Sequence, residues 1–153
     1  MTQPSLLPKR TEPAAPERGP RLTTASAAAA DDAATLAFHT AVTEAIELSE
    51  AMVAEDDADP IDQTILGDTV RSLLPLISSL GLPSPVVLPL RNGGIGAEWH
   101  ERGMNIELRF RRVFDVYAVI EDARGIVPDF HGRDPSLQHA RSALQEFARR
   151  SVG

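Results

Sequence analysis

The stretch over about residues 85–121 constrains the fold more than any other. It alternates apolar and polar residues and is punctuated by Asn92-Gly93-Gly94 and Arg102-Gly103. Alternation with period two is the pattern of strands buried on one face, and Asn-Gly or X-Gly between such runs marks a hairpin turn. If Arg102-Gly103 is a two-residue turn, Trp99 stands opposite Ile106, Ala97 opposite Leu108 and Ile95 opposite Phe110, all on one face. The same register places Gly96, Glu98 and His100 opposite Arg109, Glu107 and Asn105 on the other face. A slip of one residue would mix the two sets, so the register is internally consistent. A third strand is expected from about Phe114 to Glu121, after a loop at Arg111-Arg112-Val113, with Arg109 opposite Asp115 and Leu108 opposite Val116. One residue more or less in that loop would exchange the faces of Asp115, Tyr117 and Val119.

Helical patterns flank this meander. From about 31 to 55, Phe38, Val42, Ala45, Ile46, Met52 and Val53 recur at the spacing of an amphipathic helix, with Asp31 and Asp32 suited to its first turn. Asp59-Pro60 reads as the N-cap and first residue of a second helix over about 60–80, closed by Gly81 and Pro83. Pro75 inside that run predicts a kink or a break into two shorter helices. Residues 122–133 read as loop, and Asp134-Pro135 repeats the helix-start signal for a last helix over about 135–150. The order predicts an α+β domain over 29–153: two N-terminal helices, a three- to four-stranded antiparallel meander and a C-terminal helix. Residues 1–28, with Pro4, Pro8, Pro13, Pro16 and Pro20 in a polar setting, read as a disordered tail.

Charge is laid out in blocks. Residues 1–30 carry four basic and two acidic residues, residues 31–70 carry eleven acidic residues and no Lys or Arg, and residues 71–153 carry eleven Arg and nine acids. An acidic block beside a mildly basic body argues against nucleic acid as a partner, since phosphate binding needs a concentrated cationic face. Cysteine is absent, which removes disulfides, thiolate metal sites and cysteine nucleophiles. The apolar runs fall short of the roughly 18 residues of a membrane helix, and no secretory h-region is recognisable, so a cytoplasmic protein with no membrane association is expected. Fourteen of the fifteen basic residues are Arg, for which we have no physical account.

Pro85, Val86-Val87, Gly93-Gly94-Ile95, Glu98-Trp99, Gly103 and Ile106-Glu107-Leu108, with the helix before them, resemble the pattern of a group of short uncharacterised bacterial proteins built on a Gly-Gly-x-x-x-Glu-Trp β-meander. Members often carry Gly-Trp-Asp ahead of that helix, where this chain has Asp57-Ala58-Asp59. The resemblance implies the meander fold and no chemistry.

Two surfaces are candidates for function. On the polar sheet face, Glu98, His100, Glu107 and Arg109 come together with Tyr117 nearby. Like charges directly opposite each other are unfavourable, so Glu98 and Glu107 call for a shared proton, a cation or a basic partner group between them; the plainer alternative is that Arg109 and His100 bridge them on a solvated face. The second surface is acidic: Glu44, Glu47 and Glu50 crowd one helix side without an i+4 cation, followed by Asp56 and Asp57. His39, His100, His131 and His139 lack the i, i+4 spacing of a helical metal site, Gly93-Gly94-Ile95-Gly96 leads into a strand rather than a helix, and no serine has a nucleophile-elbow context. No metal site, catalytic residue or cofactor is therefore assigned. The expectation is a small non-enzymatic protein-binding or regulatory protein whose acidic helices or polar sheet face contacts a protein partner, neutralisation of a basic protein in the manner of antitoxins or immunity proteins being one form of it, with homo-oligomerisation left open. The alternative is a small enzyme or a ligand- or metal-binding domain using the polar sheet face.

Overall fold

A computed structural model describes the backbone of residues 14–150 and the side chains of residues 32–150. Its elements, in order, are α1 (Ala14–Ala54), α2 (Gln63–Leu80), β1 (Val86–Pro89), β2 (Ile95–Glu101), β3 (Met104–Arg112), β4 (Asp115–Asp122), β5 (Phe130–Arg133) and α3 (Gln138–Arg149). The strands form one antiparallel sheet in sequence order, so the chain is an α+β protein with five strands rather than three or four. The additional strand, β5, lies in the segment expected to be loop and pairs Tyr117 with Arg133 and Val119 with His131.

The β2–β3 register is the expected one at every position, from Ile95 opposite Phe110 to Glu101 opposite Met104. Arg102 and Gly103 make the two-residue turn with φ of 57° and 75°, the left-handed pair that a tight hairpin between twisted strands requires. The β3–β4 register differs from expectation by two residues: Arg109 stands opposite Tyr117 and Leu108 opposite Ala118. The pairing shifts between Phe110 and Arg112, a bulge that keeps β3 in the sheet to Arg112 and leaves Val113 and Phe114 as the turn. A displacement of two preserves the faces, so Val116 stays inside and Tyr117 outside.

The inner face carries Ile95, Ala97, Trp99, Ile106, Leu108, Phe110, Val116, Ala118 and Ile120, all buried. Trp99 belongs to this core, and its indole N–H donates to the Pro83 carbonyl at 3.0 Å. Helices α2 and α3 cover this face, while α1 lies along β1 and α2. From α1 come Phe38, Ala45 and Ser49; from α3 come Ala140, Ala143, Leu144 and Phe147.

Helix boundaries depart from the simplest sequence signals. The α1 backbone is helical from Ala14, well ahead of the expected start near 31; Pro16 falls in the first turn, where its missing N–H would have no helical partner, and the Ala-rich run 27–30 favours propagation. For the expected tail, residues 1–13 and the side chains of 14–28 lie outside the described residues. The N-cap of α2 is Asp62, not Asp59: its carboxylate accepts from the Thr64 and Ile65 amides at 2.8 and 3.1 Å. Asp59 is held instead by the β1–β2 connection, donating its amide to the Arg91 carbonyl, as Asp62 does to Gly93. Helix α2 continues through Pro75 as one element and ends at Gly81, whose left-handed φ of 65° lets the Leu82 amide return to the Ile77 carbonyl. In α3 the helical residues begin at Gln138; buried Asp134 caps from a distance, accepting from the His139 and Ala140 amides.

The two glycines after Asn92 are needed for close approach. A Cβ on Gly94 would sit 2.4 Å from the Phe110 carbonyl oxygen, and one on Gly93 2.9 Å from that of Pro60. This connection is pressed between β3 and the lead-in to α2.

Candidate functional site

With α2 and α3 on the inner face, the outer face of the sheet lies open. Strand alternation decides which side chains it shows: Glu98 and His100 from β2, Asn105, Glu107 and Arg109 from β3, Tyr117, Val119 and Glu121 from β4, His131 and Arg133 from β5. All are half-buried or exposed.

Glu98 and Glu107 are cross-strand partners, with side chains only 23% and 19% exposed. Each is met by a different side-chain nitrogen along its own strand. His100 Nε2 lies 2.7 Å from Glu98 Oε1, and Arg109 Nη2 donates to Glu107 Oε1 at 3.2 Å. The hydrogen bond with Glu98 holds the His100 imidazole above its ordinary pKa, against the opposing effect of partial burial; the Glu107 charge and Asn105 push the same way as Glu98. One ligand atom from each of Glu98, His100 and Glu107 lies within 4.8 Å of the other two. Of the expected sheet-face set, the structure thus brings Glu98, His100, Glu107 and Arg109 together. Tyr117 is one strand further on, opposite Arg109 and Arg133, with the Arg111 guanidinium 5.1 Å from its ring centroid.

The open face is electrically two-ended. A shallow hollow at one end is lined by Arg111, Arg112 and Arg133 around Asp115, which pairs with Arg111 and Arg133 at 3.4 Å each. A hollow at the other end is lined by His100, Glu101, Asn105, Glu121 and Asp129. Here Asn105 donates to Glu121 at 3.0 Å, the main cause of a lowered Glu121 pKa, and His131 lies 3.3 Å from the same carboxylate. The Asn105 carbonyl oxygen is buried without a hydrogen-bond partner among the described residues.

The acidic set is placed elsewhere. Glu44, Glu47 and Glu50 are exposed on α1; Asp56 and Asp57 are exposed in the turn that follows, where Asp57 pairs with Arg91 at 3.0 Å. The helix and the turn therefore present an acidic flank distinct in sequence from the sheet face.

Glu121, Arg111, Arg112 and Arg133 were not among the sequence candidates, and His131 entered there only as a histidine without metal-site spacing. The only available signal was the alternation of Phe130, His131, Gly132 and Arg133, four residues that a loop would show equally well. Also unmarked was a buried ion pair beneath the acidic end. Asp122 accepts from Arg150 Nη1 and Nη2 at 3.0 and 2.7 Å and from the amides of Arg124, Ile126 and Val127. Arg150 also donates to Glu146 and to the Arg102 carbonyl, tying the end of α3 to the β2–β3 turn. The Arg150 guanidinium and these amides hold the Asp122 carboxyl far below the usual carboxylate range. This cluster is fully engaged in structure and offers no open ligand position.

Among the described residues no helix is long and apolar enough to cross a membrane. No protein-family model matches the chain, and neither a curated protein nor a solved structure does.

Proposed function

We propose that the chain is a small non-enzymatic binding protein whose open sheet face, flanked by the acidic surface of α1, engages a protein partner. The observation that carries this reading is the segregation of charge on that face, with Arg109, Arg111, Arg112 and Arg133 toward one end and Glu98, Glu107 and Glu121 toward the other. A face patterned this way favours one docking orientation and raises the association rate, and like-charge contacts reject wrong partners. The acidic flank of Glu44, Glu47, Glu50, Asp56 and Asp57 adds attraction for a cationic surface, and neutralisation of a basic protein, as by an antitoxin or immunity protein, is one form of such binding.

The test is capture of a partner by wild-type protein and by Arg109→Glu/Arg133→Glu at low and high salt. Capture that weakens with salt and is lost in the variant supports the reading. Capture indifferent to both contradicts it.

A further inference from the structure

We propose that Glu98, His100 and Glu107 form a binding site for a divalent transition-metal ion of the zinc type on the open sheet face. The inference concerns the isolated chain and does not rest on a protein partner.

Geometry is the first argument. A four-coordinate zinc with bonds of about 2.0–2.2 Å keeps its ligand atoms roughly 3.4 Å apart. One atom from each of the three side chains already lies within 4.8 Å of the others, so rotation about side-chain torsions closes the set without moving either strand. The backbone supports this: β2 and β3 hold Glu98 opposite Glu107, and His100 lies two residues on, on the same face.

Charge is the second. Two carboxylates on adjacent strands repel, and Arg109 hydrogen-bonds Glu107 but not Glu98 while His100 hydrogen-bonds Glu98 but not Glu107. A dication between them removes the repulsion at both. Each carboxylate keeps its second oxygen available, and Arg109 then serves to orient Glu107 rather than to neutralise it.

The outer shell is the third. An imidazole that gives one nitrogen to a metal needs an acceptor for the N–H of the other. Asn105 stands opposite His100 and already helps to raise its pKa, and its side-chain carbonyl oxygen, buried and with no other partner among the described residues, is that acceptor. Asn105 is itself held by its donation to Glu121.

The ligand set selects the ion class. One imidazole with two carboxylates and no thiolate suits zinc, manganese or iron(II) better than copper(I), and the imidazole disfavours magnesium and calcium. Three protein ligands on an open face leave a coordination position toward solvent, the arrangement of a site that takes a further ligand rather than a closed structural one.

The experiment is calorimetric titration of tag-free protein with zinc chloride, repeated with magnesium chloride, for wild type, His100→Ala, Glu107→Gln and His131→Ala. Expected are one equivalent of zinc bound by wild type, no magnesium heat, affinity reduced about tenfold or more in His100→Ala and in Glu107→Gln, and unchanged affinity in His131→Ala. Because a variant can lose its fold, imidazole NMR signals of the wild type are followed in the same titration, where the His100 ring responds first. Absence of zinc binding, full affinity retained in both His100→Ala and Glu107→Gln, or a first response at His131 or His139 overturns the proposal. Loss of partner capture in Arg112→Glu/Arg133→Glu, which changes no residue of the zinc site, with zinc binding intact separates this site from the protein-binding reading.

Discussion

Glu98 and Glu107 stand directly opposite each other across β2 and β3, yet each has its own nitrogen partner, the His100 imidazole for the first and the Arg109 guanidinium for the second. The sheet tolerates a like-charged cross-strand pair by dividing its compensation between two strands. Neither carboxylate is locked: each has one oxygen outside these contacts, and the pairs sit on a face that no helix among the described residues covers.

The pair is therefore expected to contribute little to folding. Relief of repulsion in Glu107→Gln and loss of the part-exposed Arg109 contact oppose each other, each worth about 1 kcal/mol or less. Urea denaturation should place Glu107→Gln within about 0.5 kcal/mol of wild type. A loss beyond about 2 kcal/mol would make Glu107 a structural residue and remove the reason to assign it to binding.

Asp122 is the opposite case. Its removal leaves Arg150 buried without its main partner and three amides without an acceptor, so Asp122→Ala should cost about 3 kcal/mol. Its folded pKa lies below the unfolded value of about 3.9. The stabilisation is thus fully present above that pH and is lost as pH falls toward the folded pKa. Denaturation curves from pH 7 downward should show the wild type converging on Asp122→Asn below about pH 4. A constant difference between the two across that range would contradict the assignment.

The glycines make a paired prediction. Gly94→Ala would drive a Cβ against the Phe110 carbonyl at 2.4 Å, backbone that can yield only by opening the β1–β2 connection, and should cost about 2 kcal/mol or more. Gly67→Ala, in α2 with only the flexible end of Arg71 at 3.4 Å, should stabilise by about 0.5 kcal/mol through helix propensity. Chemical denaturation of both variants decides it; equal effects would mean that the connection is not packed as described.

Much of the sheet was legible because β2 and β3 each obey period two and share an unambiguous turn. The β3–β4 pairing was not, since its turn places Phe114 at φ 60°, where Gly or Asn would have signalled the left-handed position. β5 is four residues long and contains Gly132, too short for a periodicity to show. The helix starts were misplaced because Asp59-Pro60 and Asp134-Pro135 look like caps by composition. The helices instead begin where a tertiary contact allows: Asp62 beside the Gly93 carbonyl, and Gln138 after Leu137 in a left-handed conformation. The Glu98–Glu107 pairing came from the register alone. The basic end of the face did not, because it depends on β5 and on the bulge near Arg111.

Phe114 is 73% exposed and rims a hollow between α2 and the start of α3 that also carries Arg71 and Arg141. A non-glycine residue in the left-handed region costs roughly 1 kcal/mol, so Phe114→Gly should raise stability by about that amount. Thermal denaturation checks it; a lowered midpoint would show that the ring contributes more to packing than its exposure indicates.

The central claim, that the two-ended open sheet face is a binding surface, is tested most directly by partner capture with wild type and with Arg109→Glu/Arg133→Glu at low and high salt. The account predicts capture that falls with salt and is absent in the variant, with the variant's denaturation midpoint close to wild type. Undiminished capture by the folded variant would contradict it.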